Sequence, residues 1–193
     1  MIHSVCVFCG SSIGRRPEYR RAAEELGALL AKRNIRLIYG GGNVGLMGAV
    51  ADACLAAGGA VTGVIPQALG DKELAHWGLT ELHVVKSMHE RKALMAELAG
   101  AFIALPGGFG TFEEFFEVLT WTQLGLQRKA CGLVNVLGYY DSLLALADRA
   151  AEDGFLQPVH REMLVAGDSA AAVLEMVLHL EPPALPKWSH LKP

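Results

Sequence analysis

The sequence predicts one α/β domain, a doubly wound parallel sheet with helices on both faces. Three observations carry this expectation. Strand-like and helix-like segments alternate along the 193 residues. The strand-like runs are continuously apolar, as strands buried on both faces must be. Several of them end in glycine- or serine-rich turns, on the carboxyl edge where open parallel sheets bind ligands.

The elements follow in order. His3–Phe8 is the first strand and ends in Cys9-Gly10-Ser11-Ser12. Pro17 suits a first helical turn, where its missing N–H costs nothing. Ala22, Leu26, Leu29 and Leu30 then recur at helical spacing as far as Arg33. Arg36–Tyr39 is a second strand that runs into Gly40-Gly41-Gly42, and a helix over Val44–Ala57 stops at Gly58-Gly59. Pro66 halts the third strand, Ala60–Ile65. From Gln67 to Thr80 no period is legible, so this stretch reads as a loop in which His76 and Trp77 line a pocket or cover the sheet edge. Leu82–Val85 is a strand, Met88–Leu98 a helix and Ala101–Leu105 an apolar strand before Pro106-Gly107-Gly108. A helix over Thr111–Leu124, a strand over Cys131–Val136 and a helix over Tyr140–Glu152 come next. Met163–Val165 is a short last strand, and Ser169–Leu180 a final helix with Asp168 or Ser169 near its cap. Residues 1–181 thus form a single Rossmann-like domain without repeat or linker, and 182–193, rich in proline, form an extended arm.

Composition narrows the function. A net charge of −3 offers no basic field for gripping nucleic acid, so an anionic ligand has to be held by local donors. No apolar run reaches membrane-spanning length, no signal segment is present and no disulfide spacing exists, which places the protein in the cytoplasm. Cys6 and Cys9 form a C-x-x-C, but residues three apart on a strand face opposite ways, so they read as buried apolar side chains. His83, His89 and His160 show no metal-ligand spacing, so neither a metal nor a cofactor is expected.

Chemistry concentrates at the glycine loops. Gly40-Gly41-Gly42-Asn43-Val44-Gly45 fits G-x-G-x-x-G between a strand and a helix. A dinucleotide site also needs an acid at the end of the next strand, and Val64-Ile65-Pro66 supplies none. The loop therefore suits a phosphate better than NAD, with Gly41 and Gly42 as candidate contacts beside Gly10 and Ser11. Pro106-Gly107-Gly108-Phe109-Gly110-Thr111 is a second such loop, opening a helix whose free amides and dipole favour an anion. Glu113 and Glu114 follow at once; a carboxylate does not help to bind phosphate but suits a ribose or the bond being broken. In Met88-His89-Glu90-Arg91-Lys92, Arg91 is the better candidate for a two-pronged contact to phosphate or carboxylate.

At these residues the sequence resembles the Lonely Guy (LOG) family, once labelled possible lysine decarboxylases. Pro106, Gly107, Gly108, Gly110, Thr111 and Glu114 match its P-G-G-x-G-T-x-x-E pattern, and Met88, Arg91 and Lys92 its M-x-x-R-K pattern. The resemblance implies a phosphoribohydrolase that cleaves the N-glycosidic bond of N6-modified adenosine 5′-monophosphates or AMP, releasing the base and ribose 5-phosphate. It implies a catalytic pair, Arg91 and Glu114. It also implies a nucleotide site shaped by Gly107, Gly108, Phe109, Gly110, Thr111, Glu113 and Thr120 with Met88 and Lys92, a further contact at Glu73, and a homodimer with the site near its interface. Decarboxylation would require a pyridoxal phosphate Schiff-base lysine, and Lys32, Lys72, Lys86, Lys92 and Lys129 mostly lie in polar or helix-end settings. The main rival is a non-catalytic nucleotide- or molybdenum-cofactor-binding module on the same scaffold, which would keep the glycine loops without needing Arg91 and Glu114.

Overall fold

The computed structural model describes residues 2–70 and 74–183. Its first half runs β1 (Ser4–Phe8), α1 (Pro17–Lys32), β2 (Arg36–Tyr39), α2 (Gly45–Ala56), β3 (Val61–Pro66), α3 (Gln67–Gly70) and β4 (Glu81–Val85). The second half runs α4 (Met88–Leu98), β5 (Ala101–Ala104), α5 (Phe109–Gln123), β6 (Cys131–Val134), α6 (Asp141–Glu152), α7 (Pro158–Arg161), β7 (Leu164–Gly167) and α8 (Ala170–His179). All pairings are parallel, in the order β4-β3-β2-β1-β5-β6-β7. The expected doubly wound sheet is therefore what the chain builds.

Successive residues of each strand feed two cores. Val5, Val7, Leu37 and Tyr39 pack under α1, α2 and α8, through side chains such as Leu26, Leu30, Val50 and Val173. Cys6, Phe8, Ile38 and Phe102 pack under α4 and α5, against Met95, Phe115 and Val118, with Leu143 and Leu144 of α6 at the margin. Cys6 and Cys9 fall in opposite cores, as their spacing requires, and all four cysteines are free and buried.

Three departures from expectation have local causes. The stretch after β3 is not wholly irregular: it forms α3 and then an isolated antiparallel bridge between Gly42 and Ala75. β6 stops at Val134 because the next residue, Asn135, turns the chain. Its side-chain oxygen accepts from the Tyr140 amide (2.7 Å) and its amide group donates to Asp141 (2.8 Å), which closes a 3-10 turn over Val136–Gly138. The short α7 has no apolar period to announce it and begins at Pro158. Glu73 and residues 184–193, most of the expected arm, lie outside the described residues. Among the described residues, no helix is long and apolar enough to cross a membrane.

Candidate functional site

β1 is the strand at which the winding reverses, with β2 on one side and β5 on the other. A crevice therefore opens where the loops after β1 and β5 diverge. These loops are tied by backbone bonds, from Leu105 N to Phe8 O (2.9 Å) and from Gly10 N to Pro106 O (3.0 Å). The loop after β2 joins them, since Leu46 N donates to Gly10 O at 3.0 Å. Gly45 makes that junction with φ +62°, and a Cβ there would stand 2.3 Å from the carbonyl carbon of Ser11. Both the left-handed conformation and the close approach demand glycine.

Behind this junction lies a cavity of about 420 Å³. Gly10, Ser11, Gly40, Gly42, Arg91, Gly108–Thr111 and Glu114 form its polar side. Val44, Met47, Ile65, Leu69 and Leu74 form an apolar side.

Arg91 is held from several directions. Ser87 caps α4, accepting from Glu90 N at 3.1 Å, while the Glu90 carboxylate accepts from Lys86 N at 2.8 Å. This S-x-x-E signature sets the start of the helix and with it the height of Arg91 over the sheet. Arg91 Nε donates to Val64 O (3.1 Å), and its Nη1 lies 3.2 Å from Met88 Sδ and 3.0 Å from Glu114 Oε1. The room for the guanidinium comes from Gly40, where a Cβ would sit 1.9 Å from Arg91 Nη2. Both members of the Arg91–Glu114 pair are only 11% exposed.

Burial pushes the Glu114 carboxyl above the usual glutamate range, Arg91 pulls it back, and Glu113 and Glu117 add to the rise. The folded chain thus holds this proton to higher pH than the unfolded chain. Ionising Glu114 costs the fold stability as pH rises from the ordinary glutamate pKa through the raised one.

α5 supplies the other half of the site. Its N-cap, Gly108, offers no side-chain cap, so the amides of Phe109, Gly110 and Thr111 lack intrahelical acceptors. Together with the helix dipole they give the cavity wall donors and a positive potential suited to an anion. Glu114 stands one turn further along, on the face of Gly110 and Thr111.

The remaining candidates divide. Gly107 lines a neighbouring cavity of about 310 Å³ with Tyr19 and Tyr139, and Gly10, Ser11 and Gly108 border both spaces. Gly41 lies behind the wall, packed on Ile65 and Leu82. Met88 reaches the site only through Arg91. Lys92 faces Glu113 and Glu117 instead of the cavity. Burial works against its charge, but those two carboxylates outweigh the burial and raise its pKa. Lys92 and Glu113 therefore clamp α4 to α5. Thr120 lines a third, small cavity with Gln123 and His160. Among the described residues no lysine lines the main cavity, and none of the acidic, cysteine and histidine side chains cluster as metal ligands.

The apolar wall was missed in the sequence. Val44 and Met47 had a usable signal, since residues three apart at the start of a helix share a face. Leu69 and Leu74 had none, because they sit in the stretch without a period.

The family described as possible lysine decarboxylase matches residues 47–177. Over 178 residues the chain is 49% identical to a cytokinin riboside 5′-monophosphate phosphoribohydrolase of Arabidopsis thaliana, covering 92% of this chain and 82% of that protein. It is 55% identical over 163 residues to the enzyme so named in Rhodococcoides fascians, covering 84% and 82%. Among solved structures, the molybdenum cofactor binding protein of Rippkaea orientalis superposes with a TM-score of 0.69 at 18% identity, covering 91% of this chain and 94% of that one. The molybdenum cofactor carrier protein of Chlamydomonas reinhardtii gives 0.68 at 18%, covering 92% and 98%. At that identity the likeness is one of fold alone.

Proposed function

The chain belongs to the family of cytokinin riboside 5′-monophosphate phosphoribohydrolases, and from that premise we propose that it hydrolyses the N-glycosidic bond of N6-modified adenosine 5′-monophosphates and AMP. The products are the free base and ribose 5-phosphate. One observation carries the reading at the level of residues: a mostly buried Arg91–Glu114 pair stands one helical turn from the uncapped start of α5, inside one cavity.

The chemistry follows from that arrangement. The 5′-phosphate is held by the amides of Phe109, Gly110 and Thr111. One turn of helix, about 5 Å, carries the chain from these amides to Glu114, which lies over the far side of the sugar. Breaking the bond to the base builds positive charge on the ribose. The Glu114 carboxylate stabilises that charge and takes a proton from the attacking water. Burial raises the pKa of Glu114; Arg91 opposes this and aims the carboxylate. The base points to the apolar wall of Val44, Met47, Leu69 and Leu74. A carrier of an intact cofactor has no use for a buried acid aimed at a sugar, which sets that reading second.

The decisive assay incubates the protein with a panel of nucleoside 5′-monophosphates and their unphosphorylated nucleosides, measuring free base and ribose 5-phosphate. Release from N6-substituted AMP or AMP, and much slower release from the nucleosides, is the expected result. Failure to release base from any monophosphate overturns the reading.

A cytoplasmic setting is supported by four free, buried cysteines. A homodimer completes the proposal, joined through α5, where Phe116 is 42% exposed beside the acids of the site. Sedimentation equilibrium should return twice the mass of 20.6 kDa; a monomer at micromolar concentration removes the dimer from the proposal.

A further inference from the structure

Two leucines of the cavity's apolar wall, Leu69 and Leu74, belong to the stretch between β3 and β4 that the sequence left without a period. Among the described residues, two backbone bonds hold the segment containing Leu74 to the loop after β2. Asn43 N donates to Leu74 O (3.0 Å) and His76 N donates to Gly41 O (2.9 Å), framing the lone Gly42–Ala75 bridge. Ala75 is buried, and the side chain of His76 adds a further hold. His76 Nδ1 accepts from Gly78 N (3.2 Å), so the ring proton sits on Nε2, which donates to Asp52 Oδ1 at 2.9 Å. The imidazole is 14% exposed, whereas Asp52 stands 71% exposed on α2.

α2 is also the helix at whose start Val44 and Met47 line the cavity, and its first turn is bonded to the loop after β1. The contact between His76 and Asp52 thus ties one apolar wall to the element that bears the other. We propose that His76 is a positioning residue, anchored by Asp52, that fixes Leu74 against the base and thereby sets how tightly N6-substituted nucleotides are retained. His76 lies outside the cavity lining and acts only through the wall. The proposal rests on the phosphoribohydrolase reading and adds to it a determinant of base retention remote from the reacting bond.

Asp52→Ala is the primary test, because this exposed side chain carries no part of the core. The KM for an N6-isopentenyl adenosine monophosphate is expected to rise roughly 3- to 10-fold, the range of one ordinary net hydrogen bond, because solvent screens the exposed Asp52 carboxylate, with kcat within twofold of wild type. Asp52→Asn keeps an oxygen to accept from Nε2 and should restore most of the affinity. His76→Gln places an amide donor near the Nε2 position and should do better than His76→Ala. The double variant His76→Ala/Asp52→Ala should be no worse than His76→Ala alone, because one contact is lost in both. Hydrogen exchange supplies a readout independent of turnover: the amides of His76 and Asn43 should exchange faster in Asp52→Ala than in wild type. Unchanged KM in both alanine variants, or a fall in kcat at constant KM, overturns the proposal. If wild-type protein releases no base at all, the activity reading fails, and the exchange experiment alone decides the anchor. Equal protection of His76 and Asn43 in Asp52→Ala and wild type would then overturn it.

Discussion

Replacing Glu114 with Gln is expected to lower kcat for base release by about 10²- to 10⁴-fold, the range of a lost general base, while nucleotide binding persists. The substitution keeps the shape of the side chain and its place on α5, so the phosphate site at Phe109–Thr111 is untouched. What it removes is the negative charge that faces the growing positive charge of the ribose. It also deprives Arg91 of its anion, but that guanidinium retains its bond to Val64 O. The loss should therefore fall on turnover more than on folding. Steady-state kinetics with AMP, paired with calorimetric titration of the same nucleotide, separates the two. Wild-type turnover in Glu114→Gln would remove Glu114 from the chemistry, and loss of binding together with turnover would assign it to the grip on the substrate.

Gly40→Ala is the second large effect expected, and it strikes the site without touching a charged residue. The added Cβ would fall 1.9 Å from Arg91 Nη2. Backbone strain is not the issue, as Gly40 is not among the glycines with positive φ. The atom in the way is the end of a long, flexible side chain, so the fold escapes by swinging the guanidinium aside. Loss of chain freedom in the unfolded state partly offsets the overpacking, and stability should change by no more than about 1 kcal/mol. Displacing Arg91 by even an ångström weakens the counter-charge beside Glu114, and a misplacement of that size costs on the order of 10²-fold in rate. The acid should then be harder to ionise, so raising the pH should recover part of the lost rate. Thermal melting beside a pH–rate profile tests this directly. A wild-type rate with Arg91 seen in its original place would refute it.

The legible parts of the molecule were those whose cause is local in the chain. Apolar runs announced the strands, and Pro106–Thr111 announced an uncapped helix start at the cavity because a turn, free amides and a helix start are consecutive residues. Arg91 was singled out for a contact to phosphate or carboxylate, and the sheet brings it to the carboxylate of Glu114. The illegible parts depend on which strands are neighbours. Only the order β3-β2-β1-β5 places the Val64 carbonyl and the Gly40 void around one guanidinium. Lys92 and Arg91 are adjacent in sequence, yet successive helical positions point about 100° apart, so one enters the cavity and the other joins Glu113 and Glu117 outside it. Glu113 and Glu114 separate for the same reason. Leu69 and Leu74 were hidden because their stretch has no period in the sequence, and His76, read there as lining a pocket or covering the sheet edge, lies outside the cavity lining and bonds to Asp52.

In the proposed reading, the amides that hold the phosphate and the reacting acid ride on the same rod. Their separation is set by the rise of α5 and is indifferent to small shifts of the sheet or of neighbouring helices. On that proposal such a rod acts as a ruler for the ribose phosphate, which is common to every nucleoside monophosphate. The same proposal leaves recognition of the base to side chains on α2, β3 and the segment around Leu74, so substitutions there are expected to retune which base is accepted while the measured interval, and the reaction conducted across it, stay the same.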